Sequence, residues 1–163
     1  MMILLFNVGG DSYGINVRDI VEVLPNVTLK HFPHGPEYVS GLLNYRGKTV
    51  PVVDLTLLMS SHVSRDRISS RIVLVNYQGG HDSRYYLLGL LIEKTTETVK
   101  ISDHDLVSSG VVTKDTPFLG DVVIRDGSIT QVINTMKILP CAMQAVLFHD
   151  HHEETVGVIG ADD

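Results

Sequence analysis

Residues 41–55 read GLLNYRGKTVPVVDL, and this stretch decides the fold. Two apolar, β-branched runs flank the charged tip Arg46-Gly47-Lys48. Glycine supplies the positive φ angle that a tight hairpin turn needs, so we predict strands Leu42–Tyr45 and Thr49–Val53 joined by a turn. Asp54 follows directly and is a good N-cap for a short helix, because its carboxylate can accept a free N–H of the first turn.

The same alternation of short apolar runs and turn residues continues along the chain, which predicts an all-β fold. The joins Gly9-Gly10-Asp11, Gly79-Gly80 and Asp126-Gly127 carry similar turn chemistry. Brief helical pieces are expected after Asp54, after Asn134 and around Pro36–Val39. The ten predicted strands are Ile3–Val8, Tyr13–Val17, Ile20–Leu24, Leu42–Tyr45, Thr49–Val53, Ile72–Tyr77, Tyr85–Ile92, Glu97–Ile101, Val122–Arg125 and Ile129–Ile133.

The two halves of the chain echo one another. Gly14 and Gly89 both stand in apolar strands, and each is followed eight positions later by a glutamate. The offset between the halves is about 75 to 80 residues, which suits a duplicated five-strand unit rather than the shorter period of a solenoid repeat. We predict two small β-barrels packed together, which would bury strand edges that otherwise invite aggregation.

The predicted domain covers residues 1–140, with a first subdomain at about 1–66 and a second at about 67–140. A polar linker is expected over Ser60–Ser70, a long loop over Asp103–Pro117, and a partly mobile extension over residues 141–163.

Composition excludes several classes of function. The 163-residue chain is 44% hydrophobic and has a net charge of −6, so it can build a core but does not favour nucleic-acid binding. Its longest apolar stretch, Tyr85–Ile92, is far short of a membrane span, which predicts no direct membrane insertion. The single Cys141 excludes an internal disulfide and fits a cytoplasmic location.

No pattern in the sequence supports catalysis or a cofactor. Phosphate-binding, zinc-protease and nucleophile-elbow motifs are absent from it. Arg46 and Asp54 would lie at opposite ends of an extended strand, so a direct catalytic pair is not expected. The cluster His149–Glu154 could ligate a metal, but it lies in a tail without a scaffold, and a solvated tail is favoured.

A binding surface is the better interpretation. Arginine at a hairpin tip is a frequent interface anchor, because its planar guanidinium makes several directed hydrogen bonds. Arg46 could equally pair with a nearby acid such as Glu22, and the spacing does not decide between these alternatives.

These motifs together resemble the CheW family of chemotaxis coupling proteins. The resemblance begins with F-x-V-G-G-x-x-Y-G-I-x-V and IVEVLP, and is most specific in P-x-YVSGLLNYRGKTVPVVDL. It continues through RIVLVNY, LLGLLIE and VINTMKIL, and so covers about residues 3–139.

The resemblance implies two five-stranded β-barrels and a non-catalytic adaptor. Such an adaptor joins the cytoplasmic tips of chemoreceptors to the regulatory domain of a CheA-type histidine kinase, in the cytoplasm at receptor arrays. It implies partner contact near Val17, Ile20 and Glu22, and an assembly role for Arg46. The further residues implied are Gly47, which makes the turn, and Ile72 and Gly89, on second-barrel strands lining the receptor groove.

The sequence departs from the family pattern in the second half. Members commonly carry Val-Asp after the glycine of the second-barrel hairpin, where this chain has Ile92-Glu93, followed by Lys94-Thr95-Thr96. Three segments are closer to adaptors of Wsp-type surface-sensing pathways, which control cyclic-di-GMP rather than motility: the Tyr85–Ile92 strand, the LVSSGV loop and the tail past Pro140. The resemblance therefore leaves the pathway output open.

Overall fold

Short β-strands make up most of the fold. The computed structural model describes residues 1–60, 68–78, 84–111, 114–139 and 147–148, and in these it has eleven strands and one α-helix. The strands are β1 Met2–Val8, β2 Asp11–Asn16, β3 Ile20–Pro25, β4 Val39–Tyr45, β5 Lys48–Asp54, β6 Arg71–Gln78, β7 Tyr85–Ile92, β8 Thr95–Lys100, β9 Leu106–Val107, β10 Leu119–Arg125 and β11 Ser128–Ile133. The helical pieces are α1 Leu55–Ser60 and three 3₁₀ turns, Val17–Asp19, Asp103–Asp105 and Thr135–Lys137. None of the helices in the described ranges is long and apolar enough to cross a membrane.

The strands form two sheets with the same connectivity. The first sheet has the order β8-β1-β2-β11-β10-β9, and the second has the order β3-β6-β7-β5-β4. Strands β1 to β5 correspond in turn to β6, β7, β8, β10 and β11, because each equivalent pair is antiparallel or parallel alike. The internal echo in the sequence is therefore a duplicated five-strand unit, to which β9 is an addition.

The two repeats exchange strands. β3 of the first repeat pairs with β6 of the second, and β8 of the second repeat pairs with β1 of the first. Each sheet consequently takes strands from both sides of residue 66, so sheet membership does not follow the order of the chain. The division into subdomains at about 1–66 and 67–140 stays a prediction.

A shared core lies between the sheets, and each sheet also encloses a smaller core of its own. Along β1, Leu4, Phe6 and Val8 enter the shared core, whereas Ile3 and Leu5 enter the core of the first sheet. β6 alternates in the same way between the shared core and the core of the second sheet. Strands buried on both faces read as unbroken apolar runs, which explains ILLF and IVLV in the sequence.

The all-β prediction is confirmed, and every predicted strand is present. The brief helix expected at Pro36–Val39 is wrong: Val39 N–H donates to the Pro36 carbonyl at 3.0 Å in a single turn, and the chain then extends as β4. Val17 begins a 3₁₀ turn rather than ending a strand, because the Asn16 side chain accepts the Arg18 N–H at 3.0 Å. The predicted loop 103–117 contains β9.

Three expectations fall wholly or mainly outside the described residues. These are the linker over Ser60–Ser70, of which residues 61–67 are not described, the turn at Gly79-Gly80, and the extension 141–163 apart from residues 147–148.

Candidate partner interface

The hairpin between β4 and β5 holds Arg46 at its tip. Arg46 has φ of 51° and Gly47 has φ of 83°, the pair of positive angles that a two-residue type I′ turn requires. The Asn44 side chain accepts the Gly47 N–H at 3.0 Å, which stabilises the turn from one side. The arginine backbone is therefore held in a defined turn, as the sequence predicted for Gly47.

The Arg46 side chain is exposed, and with the residues that the structure describes it makes only weak contacts. Its guanidinium lies 3.9 Å from the Glu22 carboxylate and 5.2 Å from the centre of the Tyr45 ring. The side chain keeps 78% of its surface accessible, and an exposed ion pair of this kind contributes about 0–1 kcal/mol. Arg46 therefore lies beside Glu22, as one of the two sequence-based alternatives expected, while most of its surface is exposed. Its contact with a partner stays a prediction.

Glu22 joins the hairpin to the edge strand β3. The Tyr45 hydroxyl donates a hydrogen bond to the Glu22 carboxylate. This hydrogen bond raises the pKa of the Tyr45 hydroxyl, partial desolvation adds to the rise, and the nearby Arg46 charge opposes it. Glu22, Tyr45 and Arg46 therefore form one polar cluster beside the turn between β4 and β5.

The strand β3 itself forms one edge of the second sheet. Ile20 pairs with Val75 of β6, and Ile20 and Val17 pack partly against the shared core. Alternate residues face the other way, and Val21 and Val23 keep 43% and 41% of their surface exposed. An edge strand with exposed valines provides apolar area and backbone hydrogen-bonding groups for a partner.

Ile72 and Gly89 lie together but inside the molecule. Ile72 is fully buried in the core of the second sheet, and Gly89 is buried on β7. A Cβ atom on Gly89 would lie 2.8 Å from Val52 Cγ2 and 3.2 Å from Ile72 Cγ2, so the glycine permits close packing. Their role in lining the receptor groove stays a prediction. Both residues are buried, so neither is presented directly at the surface.

Asp54 is the helix cap that the sequence predicts. It is buried at the end of β5, and its Oδ1 accepts the Leu57 N–H at 3.1 Å in the first turn of α1. Arg46 lies before the other end of the same strand, so the two residues do not form a catalytic pair. Asn134 caps the 3₁₀ turn Thr135–Lys137 in the same manner.

Metal ligation is the remaining site considered from the sequence. The cluster His149–Glu154 lies outside the described residues. Within the described part of the chain, no group of three or more His, Cys, Asp or Glu side chains is placed to hold a metal ion.

Sequence reasoning missed a cleft beside the hairpin. Its walls include Lys48 on β5, Tyr85 and Tyr86 on β7, and Phe148 near the C-terminus. The Tyr85-Tyr86 pair was visible in the sequence, but only as part of a strand. Phe148 carried no local signal, because its position is defined by ring contacts with Tyr77 and Tyr86, which are distant in the sequence.

A model of the CheW-like domain matches residues 2–142, and the chain belongs to this family of non-catalytic adaptors.

Curated relatives agree over most of the chain. The chemotaxis protein CheW of Rhizobium meliloti is 22% identical over 140 residues, which cover 85% of this chain and 86% of that protein. The chemotaxis protein CheW of Bacillus subtilis is 21% identical, over 83% of this chain and 85% of its own length.

A solved structure agrees as well. The scaffolding protein TtCheW from Thermoanaerobacter tengcongensis superimposes with a TM-score of 0.74 and 25% identity, covering 84% of this chain and 90% of that one.

Proposed function

We propose that this chain couples chemoreceptors to a CheA-type histidine kinase in bacterial chemosensory signalling, as a cytoplasmic adaptor recruited to receptor arrays. The observation that carries the proposal is Arg46, which is open to solvent on a defined turn within a chain of the CheW-like family. An adaptor needs faces that stay accessible after folding. Among the described residues, Arg46 makes only weak contacts with Glu22 and the Tyr45 ring.

The kinase regulatory domain is assigned to the face formed by β3 and the Arg46 hairpin. Val17, Ile20 and Glu22 border this face, and the exposed Val21 and Val23 supply its apolar part. Exposed arginine beside apolar area is typical of interface hot spots, where a planar, charged group is desolvated against a partner.

The receptor tip is assigned to the region of β6 and β7 around Ile72 and Gly89. Because both residues are buried, we propose that they act by positioning these strands, and that neighbouring exposed side chains make the contact. Coupling then needs both partners on one molecule of the adaptor at the same time.

Calorimetric titration of the full-length chain with the cognate kinase regulatory domain tests the kinase assignment. We expect saturable one-to-one binding that Arg46→Glu weakens. Arg125→Glu is the matched control, because Arg125 lies beside the equivalent hairpin turn of the second repeat and is also exposed. Equal loss in both variants would reject a specific role for Arg46, and absence of binding by the unmodified chain would reject the kinase assignment.

A further inference from the structure

The cleft beside the hairpin lies where two parallel strands separate. The described pairing between β5 and β7 is limited to one short ladder, in which Val52–Asp54 lie opposite Gly89–Leu91. Upstream of this ladder, β5 stays paired with β4 and β7 stays paired with β6. Both walls of the gap are therefore held extended by their other neighbours, and a cavity of about 370 Å³ lies between them.

Comparison with the first sheet shows that this separation is particular to the second sheet. The equivalent parallel ladder between β11 and β2 starts two residues earlier, with Thr130 opposite Ser12. By the same alignment, Val50 would lie opposite Leu87, but the described ladder does not include that pair. Pro51 stands at the point where pairing stops, and proline has no backbone N–H to donate.

Apolar side chains line the cleft, and one of them comes from the C-terminal extension. Tyr85 keeps 64% of its surface exposed, and Leu87 lies partly exposed beside it. The Phe148 ring stacks on Tyr86 at 4.7 Å between centres and on the fully buried Tyr77 at 5.5 Å. Stacking on a core tyrosine holds Phe148 in place, so it is a wall of the cleft.

The rim of the cleft is cationic. Lys48 lines both this cavity and an adjoining groove of about 500 Å³ that Arg46 also borders. Among the described residues, Lys48 forms no salt bridge, and Arg46 has one weak ion pair, at 3.9 Å from Glu22, besides its contact with the Tyr45 ring at 5.2 Å. In a chain with a net charge of −6, two adjacent cations beside an apolar cleft favour a ligand that carries carboxylates.

We propose that this cleft binds an extended, acidic segment of a partner protein, with an apolar side chain against Tyr85, Leu87 and Phe148 and carboxylates near Arg46 and Lys48. A separation between two strands suits an added strand, since strands lie about 4.8 Å apart whereas a helix is about 10 Å wide. The inference rests on the proposed adaptor function, because it names the chemistry of a partner segment at the same face.

The test uses the full-length, ¹⁵N-labelled chain and a defined probe, the acetylated and amidated hexapeptide Glu-Asp-Leu-Phe-Asp-Glu. We expect saturable shifts of the Lys48, Leu87 and Phe148 amide signals, and binding weakened by about fivefold or more in Lys48→Glu, as expected for removal of a close charge pair. A hexapeptide with lysine in place of each acid should leave these signals unchanged. Silent cleft signals, equal shifts with the lysine peptide, or unchanged affinity in Lys48→Glu would each overturn the proposal.

The same titration with the kinase regulatory domain separates this inference from the adaptor function. If the hexapeptide binds at the cleft but neither the kinase domain nor the receptor tip binds the chain, the coupling role fails and the cleft assignment stands. If the kinase domain binds while the hexapeptide leaves the cleft signals silent, the coupling role stands and the cleft assignment fails.

Discussion

Replacement of Arg46 by alanine separates a residue that contacts a partner from one that braces the hairpin. In the free protein the substitution removes one ion pair of 3.9 Å between side chains that are 78% and 40% exposed, and the contact of Arg46 with the Tyr45 ring at 5.2 Å. Such an ion pair contributes about 0.2–1 kcal/mol and an exposed cation–π contact about 0.5–1 kcal/mol, so the free energy of unfolding should fall by no more than about 2 kcal/mol. Glu22 loses little, because it still accepts the Tyr45 hydroxyl and remains partly solvated.

The expected effect on binding is larger. An arginine that anchors an interface typically costs about 2 kcal/mol or more on truncation, which is about a 30-fold rise in Kd for the kinase regulatory domain. Urea unfolding followed by circular dichroism measures the first quantity, since the chain has no tryptophan to report by fluorescence. Isothermal titration calorimetry measures the second, with Arg125→Ala as the control that should change neither.

The opposite pair of results would refute this reasoning. If Arg46→Ala lowers the free energy of unfolding by more than about 2 kcal/mol and the folded variant binds the kinase domain as tightly as before, Arg46 braces the barrel. That outcome would exceed what an exposed pair contributes, and would require a role for the arginine in the turn itself.

Three further substitutions test the packing and electrostatics around this surface. Gly89→Ala should cost about 1–3 kcal/mol of unfolding free energy, because the new Cβ would lie 2.8 Å from Val52 Cγ2, and Val52→Ala in the same chain should recover part of that loss; additive costs in urea unfolding would contradict the contact. Asp54→Ala should cost about 1–2 kcal/mol through loss of the helix cap while Asp54→Asn costs less, and equal costs would remove capping as the cause. Glu22→Ala, which removes the acceptor, should lower the pKa of Tyr45 towards its ordinary value of about 10, followed through the Tyr45 ring signal in an NMR pH titration. Because the folded pKa is raised, the stabilisation by this hydrogen bond is present below the ordinary pKa and is lost as pH rises through the raised one; an unchanged Tyr45 titration in Glu22→Ala would contradict the bond.

The sequence predicted the local structure well because its signals are local. Arg46-Gly47 and Asp126-Gly127 adopt the positive φ angles that such turns need, and Asp54 and Asn134 cap the short helical pieces that follow them. These features depend on residues within a few positions of each other, so a single sequence is enough to predict them.

The exchange of strands between the repeats could not be read in the same way. The apolar pattern of β3 would be the same whether it paired with β1 or with β6. In the structure it pairs with β6. The duplication was visible from Gly14 and Gly89, which pack against equivalent isoleucines, but a repeat in sequence does not say which strands the repeats share.

The cleft was missed for a related reason. It depends on Pro51 interrupting the ladder to β7, and on Phe148 returning to stack on Tyr86. The β5–β7 ladder and the Phe148–Tyr86 stacking both join segments that are distant in the chain. Neither could therefore be read from the sequence of one segment alone.

Bridging of two partners by one chain tests the central claim most directly. In sedimentation-velocity ultracentrifugation, a receptor cytoplasmic fragment and the CheA-type kinase are mixed at concentrations where they do not associate, and the full-length chain is then added. The account predicts a new, faster-sedimenting species that contains all three proteins and is reduced when Arg46→Glu replaces the unmodified chain. Separate binary complexes that never combine, or binding to neither protein, would contradict it.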